Sequence, residues 1–210
     1  MKNILFATSE AVPFIKTGGL ADVAGSLPKY FDKEKYDVRV MLPKYMCMKD
    51  EWKEKLQYHT HFYMDLNWRK QYVGILQMKY EGILFYFIDN EYYFNGFAPY
   101  GDTYTDVEKF AFFSKAVLSA LPLIDFRPDI IHCHDWQTGL VPVYLDNFRY
   151  GNEWYRGIKT IMTIHNLKFQ GTWDTKRIRD ITGLPQYYFA PDKLEAYEDA
   201  NYLKGGIVYA

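Results

Sequence analysis

The feature that most constrains this chain is an alternation of strand-length apolar runs with segments whose apolar residues recur at helical spacing. Ile4–Ala7 is the first run, and a loop with Pro13 and Gly18-Gly19 leads to Leu20, Val23, Ala24 and Leu27 on one helical face. Pro28 should kink that helix, which is expected to end before Asp32. Val38–Leu42 is the next strand, stopped by Pro43, so the opening is a βαβ unit with an expected right-handed crossover. Helical spacing returns from Glu108, with Phe110, Phe113, Val117 and Leu121 on one face. The strand Ile130–Cys133 follows, then a helix from near Thr138-Gly139 through Leu140, Val143, Tyr144 and Phe148, and a strand from Lys159 to Ile164. A last helix is expected from Leu194 or later through Val208. The repeated pattern predicts a doubly wound α/β domain with a mostly parallel sheet, spanning residues 1–210.

One region departs from the alternation. Tyr58–Leu66, Gln71–Tyr80 and Ile83–Asp89 are strand-like runs with short connections, one of them Glu81-Gly82. They read as a hairpin or meander, around residues 58–89, added to the edge of the sheet. A polar and aromatic loop from Asn90 to Tyr104 comes next, long enough to be functional.

Composition narrows the partners. Hydrophobic residues make up 49% and aromatic residues 19%, which excludes a disordered chain. The formal net charge of −1 offers no electrostatic footprint for nucleic acid or an anionic membrane. No run of about 20 apolar residues is present to span a bilayer. Cys47 and Cys133 lie in unlike contexts and suggest no disulfide framework, so a cytoplasmic setting is expected.

Three polar clusters follow three strands: Lys16–Val23 after the first, His134–Gly139 after Ile130–Cys133, and His165–Gly171 after Thr160–Ile164. Ligands of open α/β sheets bind at the carboxyl ends of strands, so these loops should converge on one edge. In the first cluster, Gly18 and Gly19 permit close backbone approach and the helix after them offers unpaired N–H groups to an anion. Lys16 adds a cation. A βα turn with glycines serving geometry and Lys16 in water gives the same local pattern. The spacing matches neither a dinucleotide fingerprint nor a Walker loop. His132, His134 and Asp135 invite a metal reading, but no fourth ligand stands at a recognisable spacing, and no metal is assigned. Tyr92, Tyr93, Phe94, Phe97 and Tyr100 crowd one loop, as a sugar-stacking surface would; core packing explains the same rings equally well.

Lys16-Thr17-Gly18-Gly19-Leu20-Ala21-Asp22-Val23, preceded by Ser9-Glu10-Ala11-Val12-Pro13, resembles the donor-site signature of bacterial glycogen synthases and plant starch synthases. The resemblance continues through His134–Leu140, Thr163–Gly171 and Asn201–Ala210, in order over the whole chain. It implies transfer of glucose from ADP-glucose to the non-reducing end of an α-1,4-glucan with retention, on a two-domain GT-B fold. ADP-glucose would be a co-substrate, with no cofactor. The resemblance implies that Lys16 contacts the donor phosphates, with Gly18 and Gly19 giving the loop access and Asp22 as its carboxylate. It implies that His165, beside the transferred glucose, and Asp135, a sugar contact, are the catalytic residues, with Asn166 a donor contact and Tyr100 and Trp136 toward the acceptor. The approach to the helix, Tyr104–Phe110, departs from the family pattern by carrying Lys109 for Arg, which keeps charge but loses bidentate geometry. The family's second, nucleotide-binding domain has no counterpart before Ala210. The chain is therefore expected to be the N-terminal half and inactive alone. The rival readings are a transferase using UDP-glucose and a non-catalytic α-glucan-binding domain.

Overall fold

Strand β1 (Lys2–Ala7) is buried from Ile4 to Ala7, as a strand flanked on both sides and covered on both faces must be. The computed structural model describes all 210 residues. α1 (Gly19–Ser26) and a 3₁₀ turn at Leu27–Tyr30 that begins beside Pro28 lead to β2 (Tyr36–Pro43), parallel to β1. After the short α2 (Asp50–Lys53) come β3 (Gln57–Leu66), β4 (Arg69–Tyr80) and β5 (Ile83–Asp89). These three form the expected meander, with both of its turns taken through left-handed residues, Asn67 in one and Glu81-Gly82 in the other. β5 then lies parallel to β2, which joins the meander to the main sheet.

The segment after β5 is more regular than the sequence suggested. α3 (Glu91–Phe94) is capped by the Asn90 side chain, and α4 (Thr103–Ala120) starts five residues before Glu108 because the Asp102 carboxylate caps the Thr105 amide at 3.0 Å. α4 also buries more than one face. Phe112, between the expected Phe110 and Phe113, stacks on Tyr93 with centroids 4.6 Å apart. The meander and its following loop cover a side of α4 that an ordinary sheet-packing helix leaves wet.

β6 (Ile130–His134), α5 (Leu140–Gly151) and β7 (Lys159–Thr163) complete a seven-stranded sheet of order β3-β4-β5-β2-β1-β6-β7. The strand order reverses at β1, with β2 on one side and β6 on the other, so the carboxyl end of β1 is the switch point. The stretch after Gly171 holds elements absent from the sequence reading. β8 (Thr172–Asp174), α6 (Thr175–Thr182), β9 (Glu195–Ala196) and β10 (Asp199–Asn201) include a three-stranded antiparallel sheet of order β8-β10-β9. These strands are two or three residues long, too short to show a period. The last helix, α7 (Tyr202–Tyr209), starts at the Asn201 cap directly after β10, within the expected range of Leu194 or later. A core cluster of 55 buried residues runs through the molecule. No helix is long and apolar enough to cross a membrane.

Candidate functional site

The three polar loops meet, as the strand ends require. They line an open cavity of about 670 Å³ at the carboxyl end of β1, with walls from Glu10, Thr17–Leu20, Tyr100, Asp135–Gln137, His165, Asn166 and Phe169. Gly18 precedes α1 in extended backbone, with no side chain capping the helix. A Cβ built on Gly18 or Gly19 meets nothing within 4 Å. Glycine here relieves no clash within the protein; it keeps the space in front of the helix N-terminus empty.

Lys16 and Asp22 stand at the rim and not among the cavity walls. Their ion pair measures 2.7 Å, with both side chains 53% exposed. In high dielectric such a pair contributes about 0–1 kcal/mol, so the Lys16 ammonium is held loosely and can turn toward an anion.

The loop is shaped instead by Glu10, which the sequence reading had quoted only as part of a motif. Its side chain is buried, with the residue 2% exposed. The carboxylate accepts hydrogen bonds from the Thr17 amide, the Thr17 hydroxyl at 2.8 Å and the Tyr100 hydroxyl at 2.5 Å. Ser9 Oγ lies 2.7 Å from the same Tyr100 oxygen. Burial, and then the Glu10 charge, push the Tyr100 phenol far above its ordinary pKa, so it remains a neutral donor. The local signal was an acidic residue directly after an apolar strand, but its partners lie seven and ninety residues away.

Asp135 performs the matching task at β6. It takes φ 57° and ψ −178°, a region costly for a side-chain residue. Its Oδ1 accepts from the His165 amide at 2.6 Å and the Asn166 amide at 3.2 Å. The carboxylate thus fixes the third loop through its backbone. Asn166 Oδ1 in turn accepts from the Lys168 amide at 3.0 Å.

His132, His134 and His165 form a stacked column, with centroids 4.2 and 5.2 Å apart. His134 Nδ1 lies 2.9 Å from His165 Nε2, and His132 Nε2 lies 2.7 Å from Thr163 Oγ1. Burial first, and the neighbouring rings second, lower His134 to about 2 and His132 to about 4. Both are neutral at physiological pH, and the column presents the His165 ring to the cavity. Trp136 is almost wholly buried, edge-on to Phe110 at 5.2 Å, and a Cβ on left-handed Gly171 would strike its ring. Its ring is a supporting wall more than a stacking face. Among the crowded aromatics, Tyr93 and Phe94 belong to the core, whereas Tyr92 and Phe97 face solvent.

The starch synthase catalytic domain family model matches residues 3–210. The chain belongs to this family. A glycogen synthase from Lachnoclostridium phytofermentans is 69% identical over all 210 residues, and one from Lachnospira eligens is 70% identical. The chain spans 44% of the length of each, so less than half of these relatives is matched. The catalytic domain of starch synthase IV from Arabidopsis thaliana, bound to ADP and acarbose, superposes with a TM-score of 0.82 at 28% identity. That likeness covers all of this chain and 43% of the plant chain. The starch synthase family fold therefore accounts for the mostly parallel sheet and for the loops gathered at its switch point.

Proposed function

We propose that this chain forms half of the active cleft of a glycogen synthase. It would transfer glucose from ADP-glucose to the non-reducing end of an α-1,4-glucan with retention. The observation that carries the reading is the cavity at the carboxyl end of β1, which open glycines and an uncapped helix N-terminus face, with a loosely held lysine at its rim. Amide N–H groups and a cation together suit the charge that grows on a departing diphosphate. The plant relative's ADP and acarbose support a nucleotide and a glucan as the two ligands.

In this reading His165 and Asn166 contact the glucose, Asp135 and Glu10 hold the loops that present them, and Tyr100 stands on the acceptor side. Lys16 and the α1 amides compensate the phosphates, and no cofactor is called for. The family's GT-B arrangement would close a second domain over the cavity, in the cytoplasm, where the free thiols Cys47 and Cys133 remain reduced.

The test is ADP release by the full-length protein given ADP-glucose and glycogen, with UDP-glucose as the competing donor and EDTA as a metal control. Strong preference for ADP-glucose, unaffected by EDTA, is expected. Preference for UDP-glucose would overturn the donor assignment, and absence of transfer from either would leave a glucan-binding domain. The 210-residue chain alone is expected to show little or no turnover.

A further inference from the structure

Two neighbouring residues at the end of β6 hold His165 in two ways. Asp135 binds its backbone amide, and His134 binds its ring, with His134 Nδ1 2.9 Å from His165 Nε2. The His134 ring has little freedom of its own. It is fully buried, packed on Phe6 of β1 with centroids 5.4 Å apart and on His132 at 4.2 Å. Its backbone is tied as well. The His134 amide donates to Thr138 Oγ1 at 2.7 Å, and the same hydroxyl lies 2.9 Å from the His134 carbonyl, to which it can donate.

One proton lies between the two ring nitrogens, and burial decides which of them owns it. The second nitrogen of His134, Nε2, is buried without a hydrogen-bond partner. Burial and the neighbouring rings keep His134 neutral, so it carries a single N–H. If His165 owned the shared proton, that N–H would be at His134 Nε2, sealed from water with nothing to receive it. Orphaned buried donors of this kind are rare in folded proteins. With the proton on His134 Nδ1 the N–H is paired, and the orphan is only a lone pair.

We infer that His134 is a positioning residue: its Nδ1–H donates to His165 Nε2, which fixes the His165 tautomer and leaves the Nδ1–H of His165 as the donor offered to the cavity. The inference rests on the proposed transfer of glucose, which makes that N–H a partner for a sugar oxygen. The His165 ring lines the cavity, and no protein group pairs with its Nδ1. The hydrogen bond made by one imidazole nitrogen sets what the other can do. An unheld histidine favours the Nε2–H form in water, so without His134 the ring would turn an acceptor toward the sugar. Asp135 and His134 then divide the work, one placing the His165 backbone and the other choosing the face its ring chemistry presents.

His134→Asn and His134→Leu in the full-length protein test this. The Asn amide nitrogen can stand near the place of Nδ1 and still donate, whereas Leu fills similar space and cannot. Nuclear magnetic resonance of 15N-labelled histidine near pH 7.5 should show the parent His165 protonated on Nδ1 and bare on Nε2. Leu should move that proton to Nε2, and Asn should keep it on Nδ1. In the Leu variant kcat should fall about tenfold, the scale of one hydrogen bond, and in Asn less than about threefold. A parent His165 protonated on Nε2 would overturn the inference, even if the Leu variant fails to fold. So would equal losses of kcat in both variants with the His165 tautomer unaltered, or an unchanged kcat in a Leu variant whose tautomer has flipped. If the parent transfers no glucose, the proposed function fails, and the spectra still decide the tautomer.

Discussion

Two carboxylates of the first loop region, Glu10 and Asp22, show how differently the same group can serve one site. Glu10 is buried, receives three hydrogen bonds from Thr17 and Tyr100, and holds two distant segments together. Asp22 is half exposed and touches Lys16 across a surface pair. The first sets the loop's shape; the second keeps a cation waiting near the cavity. Shape therefore resides in the buried network and charge in the exposed pair, and substitutions should separate stability from chemistry along that line.

The largest expected effect tests the exposed side. Lys16→Ala in the full-length protein should lower kcat/KM about 100-fold, the scale of losing one charge stabiliser in a transition state. Its unfolding free energy should stay within about 1 kcal/mol of the parent. Full activity in Lys16→Ala would return the lysine to an ordinary surface position and break the comparison.

Glu10→Ala tests the buried side. It strands the Thr17 amide and leaves the Tyr100 hydroxyl with Ser9 as its one partner, at a cost of about 2–3 kcal/mol, readable by urea unfolding. Donor KM should rise as well, because the loop loses its anchor, and Glu10→Gln should recover part of both. A stability unaffected by Glu10→Ala would show that the clamp is dispensable.

The histidine column gives a smaller, pH-dependent effect. His134 and His132 have folded pKa values of about 2 and about 4, below the usual 6.5. For lowered values the sign is set by the unfolded chain, which binds the protons first as pH falls. The stability from keeping the rings neutral is thus complete above about 6.5 and is lost as pH drops toward the folded values. Each ring contributes a slope of up to about 1.4 kcal/mol per pH unit. Urea unfolding between pH 7 and about 4.5 should show this limb, and His134→Asn should flatten it.

Gly18→Ala is the mildest change. Gly18 has φ −153° and open space where a Cβ would stand, so the variant should fold with unaltered thermal stability. The new methyl would enter the space that the proposed donor site needs, and donor affinity should fall about tenfold. Equal donor affinity would mean that the diphosphate lies elsewhere in the cavity.

Much of the architecture was legible because its signals are local. The βαβ start, the meander at 58–89 and the β6–α5–β7 unit all rest on periodicity within one element, and all are present. The convergence of three loops was legible too, since strand ends in a parallel sheet share an edge. What failed was local in another way. The β8–β10 sheet has strands too short for a period, and the early start of α4 depended on Asp102 as its cap. Nothing in the sequence signalled that Asp135 Oδ1 holds two backbone amides, of residues thirty and thirty-one positions away.

The sequence by itself determined the fold class, the family and the edge where the three polar loops converge, because periodicity and motif order are properties of neighbouring residues. Only the tertiary structure decided which of the motif residues face the cavity and which hold it. Glu10, Trp136 and His134 could each have been either. Their burial and partners come from segments far away in the chain, and long-range packing, not local pattern, settles the role of a polar side chain.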